Sequence, residues 1–155
     1  MALRLTSLDE VQFLTCLKHG LYGSSRPSTF RPWKRRDELI VLVEKQVAGL
    51  AVVKGSPFSA TDEVWDNGLF PERIPIRFVH ATRPESRVPV AGEIRELLTG
   101  AWGRNYGWAI VAKMALPEDA ADAVRAKVLN SPNDLPYMLD NLDRLIADAK
   151  AVRGT

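Results

Sequence analysis

Three β-type runs within 44 residues constrain this chain more than any other feature. Residues 39–43, 47–53 and 74–79 are each rich in Val, Ile or Leu and bounded by charge, Gly or Pro. Glu44, Lys45 and Gln46 leave room only for a tight turn between the first two runs. Small residues inside the second run (Ala48, Gly49, Ala51) predict a bend, a bulge or close packing. Such kinks help a sheet curl. The third run alternates from Arg73 to Phe78, with Ile74, Ile76 and Phe78 on one side. Pro75 cannot donate to a ladder, which predicts that this strand is an edge or carries a bulge. The fold expected is α+β: a small β-barrel of about five or six strands with helices packed outside.

The flanking segments supply the helices. Thr6 to Glu10 reads as a helix start, with Ser7 and Glu10 at capping-box spacing and Gly20 as the stop. Residues 91–99 read as a short helix stopped by Gly100, and Pro117 opens another. Between them, residues 102–108 form an aromatic, glycine-containing loop, and residues 108–112 a final strand. Residues 135–152 form one last helix, whose stripe of Leu139, Leu142, Leu145, Ile146 and Ala149 packs on the barrel or meets a partner.

A chain of 155 residues with 46% hydrophobic and 26% charged residues suits one globular domain. No apolar run approaches the roughly 20 residues of a membrane span, and no signal-peptide pattern opens the chain. A single cysteine, Cys16, forbids an internal disulfide, and a reducing cytoplasm is the simplest setting. Cys16 and His19 lie three apart, but a structural zinc site wants four ligands and none accompany them. The sequence holds no P-loop, no dinucleotide fingerprint and no nucleophile elbow, and its carboxylates are scattered. Neither catalytic residues, nor a metal, nor a cofactor are expected.

Charge is distributed unevenly. Residues 1–36 carry seven Lys or Arg against two acids, and residues 21–36 contain no acid at all. Arg26, Arg31, Lys34, Arg35 and Arg36 gather there, as a phosphate-binding patch or as a solvated basic loop. Trp65 stands in a loop that is otherwise mostly polar. It plugs the barrel end, or it offers a flat face to a ligand.

The order and spacing of Leu21-Tyr22-Gly23-Ser24-Ser25, of residues 37–43 and 48–53, of Val64-Trp65 and of residues 69–76 resemble the EVE family. That family is a branch of the PUA-like superfamily, akin to YTH and ASCH domains. The resemblance covers residues 20 to about 130. It implies a pseudo-barrel that takes a single, usually modified, base of DNA or RNA into an aromatic pocket, in bacteria often within modification-dependent restriction systems. It divides the chain into a recognition domain, 1–130, and a helical extension, 131–155. Tyr22, Gly23, Ser24 and Trp65 match the pocket, with Tyr22 where the family often carries Trp. Trp102, Asn105 and Tyr106 would close the pocket, and Arg26, Lys34, Arg35, Arg36 and Arg104 would hold phosphates. The extension has no counterpart in the family and would serve an effector protein or a homodimer. The alternatives are a non-catalytic interaction subunit built on that helix, or a nuclease or hydrolase of the wider superfamily.

Overall fold

Extended structure begins at the third residue. In the computed structural model, which describes residues 1–154, β1 (Leu3–Leu8) pairs in parallel with residues 38–43. Ser7 therefore belongs to a strand, and the helix cap falls two residues later than the sequence spacing predicts. Asp9 caps α1 (Glu10–His19): its Oδ1 accepts the Gln12 N–H at 2.7 Å, and Gln12 Oε1 accepts the Asp9 N–H at 2.9 Å. Gly20 ends the helix in the left-handed region, φ 64°.

Strand β2 (Leu21–Ser24) leads into an irregular segment and then β3 (Glu38–Val43) and β4 (Gln46–Val53). Glu44 and Lys45 both have positive φ, 51° and 61°, the backbone that a two-residue hairpin turn requires. The two-residue β5 (Phe58–Ser59), the long β6 (Glu72–Ala81) and the two-residue β7 (Val88–Pro89) complete the sheet. Its order is β1-β3-β4-β6-β2, with β5 on β6 and β7 on β4. Register shifts at Val41/Leu42 and at Leu50/Ala51 add the twist that curls it into a half-barrel. Gly49 lies between them, and a Cβ there would stand 3.0 Å from the rings of both Phe13 and Phe78.

The proline-bearing strand is not an edge, since β6 runs between β4 and β2, but it does carry a bulge: its register with β4 skips Val79. Pro75 is tolerated because β4 has run out beside it. Its carbonyl accepts from Lys54, the first residue past β4, and the next residue, Ile76, donates to Gly20 on the other side. The free edges of the half-barrel are β1 and β2.

Helices cover both faces, so β3 is buried along its whole length. Leu39, Val41 and Val43 join Phe13, Ile74, Ile76 and Met138 in one core. Ile40 and Leu42 join Leu3, Leu5, Ile94 and Val124 in the other. This second core is built with α2 (Glu93–Trp102), α3 (Gly107–Val111) and α4 (Glu118–Leu129). Two expectations fail here. Helix α2 runs through Gly100 and stops at Gly103, φ 88°. Residues 107–111 are helical, not a strand: Ile110 N–H donates to the Tyr106 carbonyl at 3.3 Å and Ala112 N–H to the Trp108 carbonyl at 2.9 Å, both four residues back.

The C-terminal stripe is split at Asn141 into α5 (Leu135–Asp140) and α6 (Leu142–Arg153). Leu142, Leu145, Ile146 and Ala149 pack against the first core, and Lys18 reaches Asp143 at 2.8 Å from α1. Residues 131–134 are bound to the end of β6: Asp134 N–H donates to the Ala81 carbonyl at 2.7 Å, and Ala81 N–H donates to Asn133 Oδ1 at 3.2 Å. Thr155, the last residue of the expected extension, lies outside the described residues. The architecture is thus the expected one, an α+β fold with a curled five-strand sheet and helices packed outside.

Candidate base pocket and groove

Tyr22, Gly23, Ser24 and Trp65 line a single cavity of about 260 Å³ at the gap between the edge strands β1 and β2. That is close to the lower end of ligand pockets, roughly 300–1,000 Å³, and suits one ring system. Thr6, Ser7, Gln12, Cys16 and Lys113 contribute to the same wall.

Each predicted pocket residue is also tied into the fold. Tyr22 is 5% exposed, stacks on Trp33 with an interplanar angle of 12°, and meets Thr6 Oγ1 at 2.7 Å through its hydroxyl. Burial pushes its phenol above the ordinary range. Ser24 Oγ lies 2.7 Å from Thr29 Oγ1 and accepts the Arg26 N–H at 3.1 Å, which orders the loop that follows. Gly23 faces aromatic rings: a Cβ there would stand 2.7 Å from the Trp65 ring and 2.8 Å from Phe70.

Trp65 is 4% exposed although its loop neighbours are polar. Arg73, 1% exposed on β6, accounts for this. Its guanidinium donates to the carbonyls of Asp62, Leu69 and Phe70 and to Asp62 Oδ1 at 2.7 Å, stapling both ends of the loop. It also lies 5.4 Å from the Trp65 ring centroid. On the other side the Trp65 ring shares the cavity wall with Cys16, and Phe70 meets the ring edge-on at 5.6 Å. Burial pushes the Cys16 thiol up to about 12, so it is inert as a nucleophile at neutral pH. Cys16 faces the core and His19 faces solvent, so the two do not share a face.

A groove of about 390 Å³ adjoins the cavity and shares Ser24, Ser25 and Lys113 with it. Arg26 lines the groove. Lys34, Arg35 and Arg36 are exposed on the same acid-free segment without lining either space. The segment is folded by Asp37, whose carboxylate accepts from Ala2 N (3.0 Å), Lys34 N (2.9 Å) and Arg4 Nη1 (2.9 Å).

The loop expected to close the pocket lies elsewhere. Because α2 continues to Trp102, that side chain and Tyr106 pack on the second core, across the sheet. Asn105 and Arg104 are exposed, and none of the four lines the cavity. Sequence reasoning missed Thr6, Gln12 and Lys113. The only local signal was polar residues flanking apolar runs; their convergence is a property of the fold.

No family model and no curated protein matches the sequence. Solved structures do. The YTH domain of Zygosaccharomyces rouxii MRB1 protein, in complex with N6-methyladenosine RNA, superposes with a TM-score of 0.58 at 13% identity, covering 86% of this chain and 89% of that one. The YTH domain-containing protein mmi1, in an RNA complex, gives 0.61 at 14% identity, covering 82% and 80%. At such identities the likeness is one of fold: the chain has the curled half-barrel fold of these YTH domains.

Proposed function

We propose that this chain is a non-catalytic nucleic-acid-binding module that captures a single, modified base. The observation that carries the reading is the base-sized cavity walled by Tyr22 and Trp65, opening into a groove beside an acid-free basic segment. Stacking on an aromatic face contributes about 1–3 kcal/mol, which offsets much of the few kcal/mol needed to extrude a base. Arg26, Lys34, Arg35 and Arg36 hold phosphates beside the entrance, with Arg104 further off. They position the strand without reading its sequence. The bound RNAs of the two YTH neighbours support this assignment, and the EVE resemblance narrows it toward a reader of modified DNA or RNA. A role in a modification-dependent restriction or RNA-modification system belongs to the same reading, as does the division into a recognition domain, 1–130, and an extension.

The test is a binding titration of DNA and RNA oligonucleotides, each with and without a modified cytosine or adenine. Tighter binding of one modified strand supports the reading. Equal affinity for modified and unmodified strands, or none at low salt, sinks it. A partner on the C-terminal helices, an effector or a second copy, is the alternative; it would cover Leu139 and Tyr137, which are 49% and 40% exposed.

A further inference from the structure

Two polar groups on the cavity wall, the Gln12 amide and the Lys113 ammonium, offer donors. Gln12 Oε1 is taken by the Asp9 N–H, which leaves the amide NH2 to offer the cavity that Gln12 lines. Lys113 Nζ donates to Thr6 Oγ1 at 3.0 Å and to the Ile110 carbonyl at 3.3 Å, which uses two of its three N–H bonds. No Asp or Glu lines the cavity. Burial alone acts on the Lys113 ammonium, pushing its pKa down, with no carboxylate opposing it.

The backbone at Lys113 makes its side chain more telling. Helix α3 ends in a double bond pattern, Lys113 N–H to the Ile110 carbonyl (3.1 Å) and Met114 N–H to the Ala109 carbonyl (3.0 Å). The residue between them sits at φ 57°. Helices that end this way ordinarily carry Gly at that position. A residue with a Cβ is strained there, so the turn by itself favours Gly over lysine, while the lysine side chain reaches Thr6 on the cavity wall.

We infer that Lys113, together with the Gln12 amide, selects a base whose edge presents oxygen acceptors. This is an exocyclic carbonyl or an oxidised substituent, in preference to a base that turns an amino group to the same wall. An ammonium accepts no hydrogen bond, so an amino group facing it leaves buried donors unpaired on both sides. Sites built to hydrogen-bond one group discriminate strongly against its replacement. The inference rests on the base-capture reading above and names the chemistry of the base.

The test uses short single strands that differ only in the central base: uracil, guanine, adenine, N6-methyladenine, cytosine and cytosine with a 5-carboxyl group. Affinities are measured for the wild type, Lys113→Met and Lys113→Gly over a range of salt. The wild type should favour the oxygen-bearing bases over adenine and N6-methyladenine by about tenfold or more, the scale of one charge-assisted hydrogen bond. Both variants should bring that ratio toward one. Lys113→Gly should melt no lower than the wild type, because it places the favoured residue at φ 57°. A ratio unchanged in the variants overturns the inference. So does a uniform loss across all strands with the salt slope reduced by about one, which would assign Lys113 to a phosphate. A preference for N6-methyladenine also overturns it. A wild type that binds none of the strands overturns the base-capture reading, and this inference with it.

Discussion

Thr6 and Tyr22 stand on opposite free edges of the half-barrel, and their hydroxyls meet at 2.7 Å. Thr6 is 1% exposed and Tyr22 5%, so the bond is shielded from water. Thr6 also receives the Lys113 ammonium. A chain of side-chain hydrogen bonds thus spans the gap that no backbone ladder closes, and it forms the floor of the cavity.

The two hydroxyls should not be equivalent. Tyr22→Phe leaves Thr6 with Lys113 as a partner and should cost about 0.5–1.5 kcal/mol, the net worth of one hydrogen bond. Thr6→Val strands both the Tyr22 hydroxyl and one Lys113 donor and should cost about 1–3 kcal/mol. Urea unfolding of the single and double variants checks this. The pair should couple, with a double loss smaller than the sum. Strict additivity would mean that water satisfies both groups.

Asp37 should set the acid limit of the fold. Burial pushes its carboxyl up, but the N–H groups of Ala2 and Lys34 and the Arg4 guanidinium outweigh that and hold it below the usual range. An unfolded Asp titrates near pH 3.9. Its contribution is therefore full above about pH 4 and is lost as pH falls through the lower, folded value. Asp37→Asn should flatten this acid limb. It should also cost about 3–5 kcal/mol at neutral pH, because Arg4 is left buried without its partner. Parallel acid profiles for the two proteins, measured by denaturant melts, would refute the assignment.

Arg35 and Arg36 are exposed, and neither makes an ion pair among the described residues. Reversing both to Glu should change stability by no more than about 0.5 kcal/mol each. If they meet phosphates, each removes about one unit from the log–log slope of affinity against salt. Anisotropy titrations across a salt series read that slope. An unchanged slope would return the segment to the solvated basic loop that its composition equally allows.

The central hairpin was legible because its apolar runs are punctuated by two charged turn residues, Glu44 and Lys45. Strand β1 was not, although Leu3 and Leu5 alternate with Arg4 and Thr6. The spacing of Ser7 and Glu10 mimics a helix cap two residues early, and the parallel partner of β1 lies some 35 residues away. Residues 107–111 failed for a different reason: a run of five apolar or small residues has too few positions to separate period two from period 3.6. The pocket strand was found through its small residues after Tyr22, yet Gly23 serves the packing of Trp65 and Phe70. Lys113 had no local signal, since its contact with Thr6 joins residues 107 positions apart.

Trp65 tests how far the plug and the ligand wall are separate roles. Its polar loop neighbours allow a ligand face as well as a plug. The structure buries the ring to 4% exposure while leaving it on the cavity wall. Arg73 holds the flanking carbonyls, and Trp65 is the one fully buried residue of the loop, with Val64 and Phe70 partly buried beside it. Trp65→Ala should therefore cost about 3–5 kcal/mol of stability, as core Trp truncations do. Any loss of base binding, about 1–3 kcal/mol for one stacking partner, must be read well below the melting temperature. Gly23→Ala approaches the same contact from the other side. Its new Cβ meets the Trp65 ring at 2.7 Å and should cost about 1–3 kcal/mol by overpacking. In the double variant part of that second cost should vanish, because the ring is gone while the contact with Phe70 Cβ at 2.8 Å remains. Thermal melts of the four proteins close the cycle. Additive losses would show that Gly23 and Trp65 do not share the contact on which the shape of the pocket depends.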